Sequence, residues 1–156
     1  MAIVNGQLFV GRYDVVPRYY SMIRALMTEL RLLNERFIFT GAIPDEELAI
    51  YYRHAAVYIS LSEHEGFCVP LVEAMAAGVP VLAYSAAAVP DTLGGAGVQF
   101  APKDLEYAAE LLGALAFDDD LRAQVIAGQR RRLVDFGDAR IVRELTSVID
   151  TVRSGA

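Results

Sequence analysis

Cysteine is almost absent from this 156-residue chain, which holds only Cys68. No internal disulfide can form, so a reducing cytoplasm is the default compartment, with a membrane-peripheral position as the alternative. The chain also lacks the concentrated basic face that nucleic acid requires. Its formal net charge is -6 and its isoelectric point is near 4.9, so no nucleic-acid partner is expected and an anionic ligand must be gripped locally. No basic segment followed by an apolar run and small residues opens the sequence, so no secretory signal is read there. The uncharged stretch 74–90 is broken by Gly78 and Pro80 and is short for a bilayer span; it reads as core. The only histidines, His54 and His64, lack metal-ligand spacing. There is no internal repeat, low-complexity tract or linker.

What the chain has in quantity is apolar residues, 54% against 22% charged. A single domain over residues 1–156 buries roughly 70% of its unfolded surface. So apolar a composition suggests that part of the surface meets a partner domain. Residues 7–10 read as a strand closed by Gly11. Over 17–33, Tyr19, Met22, Ile23, Leu26, Leu30 and Leu33 recur at helical spacing, with Arg18, Arg24 and Arg31 off the stripe. A strand is expected at 36–40. A helix follows from Pro44 to about Ala55, its Asp45, Glu46 and Glu47 placed where the helix dipole favours acid. Strands at 57–61, 79–84 and near Val98 come next, with a loop through Pro90, and helices close the chain near 104–116, 119–132 and 138–152. Alternating strand and helix predicts an α/β, Rossmann-like parallel sheet with helices on both faces, binding its ligand beyond the carboxyl ends of the strands.

The richest stretch runs from Ser60 to Ala83. A buried strand is followed by a polar turn, Ser62-Glu63-His64-Glu65-Gly66-Phe67-Cys68, and then by Pro70, which suits the first position of a helix because it has no N–H to leave unpaired. Leu71, Val72, Met75 and Ala76 supply that helix with an apolar face, and Gly78 stops it. Free amides at a helix start, backed by the positive end of the dipole, attract phosphate. Glu65 lies in the turn and Glu73 about one turn into the helix. The turn spans up to about 10 Å and residues 69–73 add about 6 Å of rise. Two carboxylates so placed can hold opposite ends of a ligand whose phosphates lie between them, each accepting a pair of neighbouring hydroxyls as on ribose or a hexose. The plainer reading is a solvated turn glutamate and a surface helix glutamate.

Glu65-Gly-Phe-Cys-Val-Pro-Leu-Val-Glu73-Ala-Met-Ala-Ala-Gly-Val-Pro-Val81 resembles the E-x7-E signature of the family 4 (group 1) retaining glycosyltransferases, which have the two-domain GT-B architecture. Thr40-Gly41, Val89-Pro90-Asp91 and Gly94-Gly-Ala-Gly97 fall at that family's spacings, so the likeness covers roughly residues 7–150. The resemblance implies half of a GT-B fold, the domain that binds a nucleotide-diphosphate sugar, with a UDP- or GDP-hexose as donor and no metal or other cofactor. It gives Glu65 the catalytic position, bonding the hexose hydroxyls, and Glu73 the ribose hydroxyls. It sets the amides of Gly66, Phe67, Cys68 and Val69 against the sugar and phosphates, and the turn at Gly41, Ala42 and Ile43 against the base. Cys68 replaces the family's usual glycine.

The same resemblance shows what is missing. GT-B enzymes carry an N-terminal acceptor domain of similar size, for which this chain has no room. Family members also carry a strand ending in Gly-Arg and then a helix lysine, both reaching the donor phosphates. Gly11-Arg12, with Arg18 in place of the lysine, invites that assignment, yet only one helix separates Val10 from Thr40-Gly41. The better alignment makes residues 7–11 the family's second strand. The chain then lacks the first strand, its helix and the Arg/Lys pair, and an exposed sheet edge is left that can pair with another copy.

Asp118-Asp119-Asp120 matches the D-x-D metal motif of the other large glycosyltransferase architecture, but it precedes a helix and reads as capping. Arg130-Arg131-Arg132, Arg140 and Arg143 read as a solvated helix face, and Cys68 as a nucleophile has no base in evidence. Two functions follow: a hexosyltransferase donor domain, inactive or nearly so without its acceptor domain or another chain, or a non-catalytic nucleotide-sugar-binding or assembly module. An epimerase of related architecture ranks below both.

Overall fold

The computed structural model describes residues 2–4, 7–10, 17–31 and 37–154. Strands β1 (Ala2–Val4) and β2 (Gln7–Val10) flank Asn5-Gly6, a dipeptide that favours two-residue hairpins, and pair antiparallel, Ala2 opposite Phe9 and Val4 opposite Gln7. There follow α1 (Pro17–Glu29), β3 (Phe37–Phe39), α2 (Asp45–His54), β4 (Val57–Ser60), α3 (Val69–Ala76), β5 (Val81–Tyr84), α4 (Val89–Leu93), β6 (Val98–Phe100), α5 (Leu105–Phe117), α6 (Asp119–Leu133) and α7 (Asp138–Ser154). A 3-10 turn, Val134–Phe136, joins the last two.

The six strands form one sheet in the order β3-β2-β1-β4-β5-β6. β2, β3, β4, β5 and β6 all run the same way, and β1 opposes both of its neighbours. This is the doubly wound order in which a ligand crevice opens where the winding reverses. The α/β Rossmann-like class therefore holds, with one difference. The place between β2 and β4, which the sequence reading leaves without a strand, is filled by β1 running backwards, so the sheet is continuous and its edges are β3 and β6. The Gly11-Arg12 assignment lies outside the described residues.

Because β4 and β5 are apolar on both faces, the sheet has a core on each side. Tyr58, Val81 and Ala83 pack with Tyr52 of α2, Leu71, Ala74 and Met75 of α3, and Val89 and Leu93 of α4. Val57, Ile59 and Leu82 pack on the other side with Phe100 and with Ala108 and Leu115 of α5. α6 serves both: Leu121 and Val125 join the second core and Leu133 the first. Its Gln129 is fully buried, accepting from the Val81 N–H at 2.8 Å and donating to the Val79 carbonyl at 2.7 Å. Each fully buried leucine here contributes roughly 1.5–3 kcal/mol.

Several boundaries move. α1 ends at Glu29, turns its Met22 and Leu26 to solvent and buries Met27, and Leu30 just after it is exposed as well. α4 forms where a loop was expected, and α3 begins at Val69, one residue before Pro70. Asp118 caps α6 as expected, accepting from the Leu121 N–H at 2.9 Å, and Asp104 likewise caps α5. Among the described residues no helix is long and apolar enough to cross a membrane.

Candidate active site

The buried run Val57–Ser60 delivers the chain to the carboxyl end of the sheet, where the turn 61–68 reverses it into α3. Several contacts hold that turn. The Glu63 carboxylate meets Lys103 Nζ at 2.6 Å, which lowers the pKa of Glu63, and Lys103 lies 5.3 Å over the Tyr84 ring. The Thr92 hydroxyl donates to the Phe67 carbonyl at 2.5 Å, and the Phe67 ring packs edge-on against Phe136 at 5.7 Å.

Cys68 closes the turn at φ 62, ψ 60, a left-handed conformation. A residue with a Cβ pays about 1–2 kcal/mol there, which is the physical reason a glycine suits the position. α3 then opens with no side-chain cap. The Cys68 carbonyl accepts from the Leu71 N–H at 2.9 Å, Pro70 has no N–H to offer, and the amides of Gly66, Phe67, Cys68 and Val69 bond to no described residue. Unpaired donors at the positive end of a helix make a surface suited to an anion.

Glu73 is exposed on α3, and one of its carboxylate oxygens accepts a hydrogen bond from the Tyr52 hydroxyl of α2 at 3.1 Å. The Tyr52 and Tyr58 rings lie 5.9 Å apart. Burial pushes the Tyr52 phenol well above the ordinary range, helped by Tyr58 and by the Glu73 charge. Burial also raises Tyr58, followed by Cys68, Glu65 and Glu73. Both phenols thus stay protonated, and the fields of both glutamates meet at Tyr58. Glu65 itself is half-buried. The Cys68 thiol is pushed up by burial and by Glu65, against hydrogen bonds with Leu71 and Ser60, which keeps it neutral and unsuited to nucleophilic attack.

Between α2 and α3 runs a groove of about 480 Å³ lined by Leu48, Ala49, Tyr52, Glu73, Ala76 and Ala77. Glu65, Gly66, Phe67, Cys68, Val69 and Glu73 are thus brought together around one helix start. The turn at Gly41, Ala42 and Ile43 lies apart, at the carboxyl end of β3 and three strand positions from β4. At about 4.8 Å per strand that is roughly 14 Å, within the span of a nucleotide across the same end of the sheet. Among the described residues no three His, Cys, Asp or Glu side chains form a group that could hold a metal ion.

Sequence reading misses three of the residues that build this site. Of the pair Tyr51-Tyr52 the sequence places one ring in the core without saying which, and the contact of Tyr52 with Glu73 leaves no pattern. Thr92 is a polar residue 2% exposed in a helix that was not expected. Arg132 departs from the solvated arginine face: it donates to the Asp91 and Thr92 carbonyls at 2.6 and 3.2 Å and to Asp135 at 2.7 Å, and it lies 4.8 Å from the Phe136 ring centroid.

The profile of the family described as "Glycosyl transferases group 1" matches residues 19–132. The chain is 36% identical over 81 residues to O-antigen chain mannosyltransferase B of Escherichia coli, a match covering 51% of this chain and 21% of that protein. With the MMP alpha-(1->4)-mannosyltransferase of Mycolicibacterium hassiacum it is 32% identical over 115 residues, 71% of this chain and 28% of the relative. Sucrose-phosphate synthase from Thermosynechococcus elongatus superposes with a TM-score of 0.72 at 26% identity, covering 96% of this chain and 39% of that one. HepE of Anabaena, in complex with UDP-glucose, gives a TM-score of 0.73 at 21% identity, over 93% of this chain and 41% of HepE, a likeness of fold. The chain therefore spans less than half the length of each of these proteins.

Proposed function

Because the chain belongs to the group 1 glycosyl transferases, we propose that it is the donor-binding half of an enzyme that transfers a hexose from a nucleotide-diphosphate sugar with retention of configuration. The observation that carries this reading is the uncapped start of α3, entered through a left-handed Cys68 and flanked by Glu65 and Glu73. The diphosphate sits on the amides of Gly66 to Val69, Glu73 holds the ribose, Glu65 orients the hexose, and the turn at Gly41 to Ile43 meets the base. The amides contribute most as charge builds on the departing diphosphate, because they are already oriented toward it. No metal is invoked.

Acceptor binding, and with it turnover, requires a second domain from a longer parent protein or another polypeptide, so the isolated chain is inactive or nearly so. A cytoplasmic location goes with this reading and is checked by cell fractionation. The second reading, a non-catalytic assembly module, draws on α7, whose apolar residues are exposed along its length. Calorimetric titration with UDP- and GDP-sugars separates the two. Saturable binding that Glu73→Ala weakens supports the donor domain, and no binding at millimolar ligand supports the module.

A further inference from the structure

We infer that Thr92 is a positioning residue for the donor: its hydroxyl sets the direction of the Cys68 amide on which the diphosphate rests. This deepens the reading of the α3 start as a diphosphate site and rests on it. The carbonyl of Phe67 and the N–H of Cys68 belong to one planar peptide and point in opposite directions. The Thr92 hydroxyl, 2.5 Å from the Phe67 oxygen, holds that carbonyl toward α4 and so turns the Cys68 N–H away from α4.

The arrangement needs a restraint, because Cys68 sits at φ 62. A flip of the 67–68 peptide carries Cys68 out of the left-handed region to negative φ, where a residue with a Cβ is less strained, and reverses the direction of its N–H. Thr92 opposes that flip and is itself held in place. It is 2% exposed, its own carbonyl accepts from Arg132 Nε at 3.2 Å, and Arg132 Nη2 grips the preceding Asp91 carbonyl at 2.6 Å. Arg132 also bonds Asp135 at 2.7 Å, and Asp135 pairs with Arg140 in the first turn of α7. The orientation of the Cys68 amide is thus anchored in α4 and α6 as well as in the turn.

The test compares UDP with uridine as NMR titrants of the full chain and of Thr92→Val and Thr92→Ser. Valine keeps the shape of threonine and loses the donor, and serine keeps the donor. Thr92→Val is expected to weaken UDP roughly 5- to 10-fold, the scale of one hydrogen bond, and to leave uridine unchanged. Thr92→Ser is expected to stay within about twofold of the parent for both. Should the valine variant not fold, Thr92→Ala carries the same expectation, with thermal melting confirming the fold. UDP affinity unchanged in the valine variant, or UDP and uridine weakened equally, overturns the inference while the donor-site reading stands. A parent chain that binds uridine but gains nothing from the diphosphate overturns both.

Discussion

The last two long helices make opposite use of their side chains. α6 is polar over much of its surface and ends in Arg130-Arg131-Arg132, yet it buries Gln129 completely, fastens the start of β5 and sends Arg132 onto α4. α7 is the more regularly amphipathic. Ile141, Leu145, Val148 and Val152 follow one another at helical spacing, and all are exposed, by 43, 58, 61 and 74%. A helix of this length gains most of its stability from packing an apolar face, and α7 buries none of its side chains fully among the described residues. Apolar period therefore reports which face a helix could bury, and α7 leaves that face exposed. The contacts of α6 are made by polar groups that leave no period at all.

The comparison breaks most directly at Gln129. Replacement by leucine keeps the volume but leaves the Val81 N–H and the Val79 carbonyl unpaired in the core, a loss of roughly 2–5 kcal/mol read by urea denaturation. An unchanged midpoint would mean that α6 is no more integral than α7. Glu73→Ala sharpens the contrast from another side, because Glu73 is exposed and its proposed role is toward the ligand. A loss of roughly 1.5–3 kcal/mol of nucleotide affinity, about 10- to 150-fold, is expected by calorimetry, with thermal stability nearly unchanged.

Alkali offers a third probe. Tyr52 and Tyr58 have raised pKa values in the folded chain. Their contribution to stability is complete below the ordinary tyrosine value of about 10 and falls as pH rises above it, because the unfolded chain loses these protons first. Denaturant midpoints measured from pH 8 to 11 should fall beyond about pH 10, and less steeply in Tyr52→Phe. Cys68→Gly comes next. Relief of about 1–2 kcal/mol of left-handed strain offsets the loss of a small buried side chain, so stability stays within about 1 kcal/mol of the parent; a much larger loss would mean that the thiol matters beyond its volume. The smallest effect belongs to α7, where Leu145→Ser should change the stability of the chain by under about 0.5 kcal/mol. A large loss there would show that the exposed stripe is packed after all.

How much of this was legible in the sequence follows the physics of each signal. The alternation of apolar runs and caps located most of the helices, and Asp118 reads as a cap because a carboxylate before a helix has free amides to satisfy. The strand-turn-helix from Val57 to Ala76 was legible for the same reason, with Pro70 and Gly78 as punctuation. β1 was not, since three apolar residues before Asn5-Gly6 are too few to register as a strand until β2 and β4 close on them. Nor could any local pattern show that Arg132 reaches across to Asp91, or Tyr52 to Glu73, because these contacts join residues 41 and 21 positions apart. The spacing of Glu65 and Glu73 could be read because it is local, and the Tyr52 contact with Glu73 was hidden because it is not.

The central claim is that a diphosphate rests on the amides opening α3. Backbone amide NMR of the full chain titrated with UDP tests it most directly. The largest and saturable shifts are predicted at Gly66, Phe67, Cys68 and Val69, and they should weaken in Glu73→Ala. Shifts confined to other elements, or no response of those four amides at millimolar UDP, would contradict it.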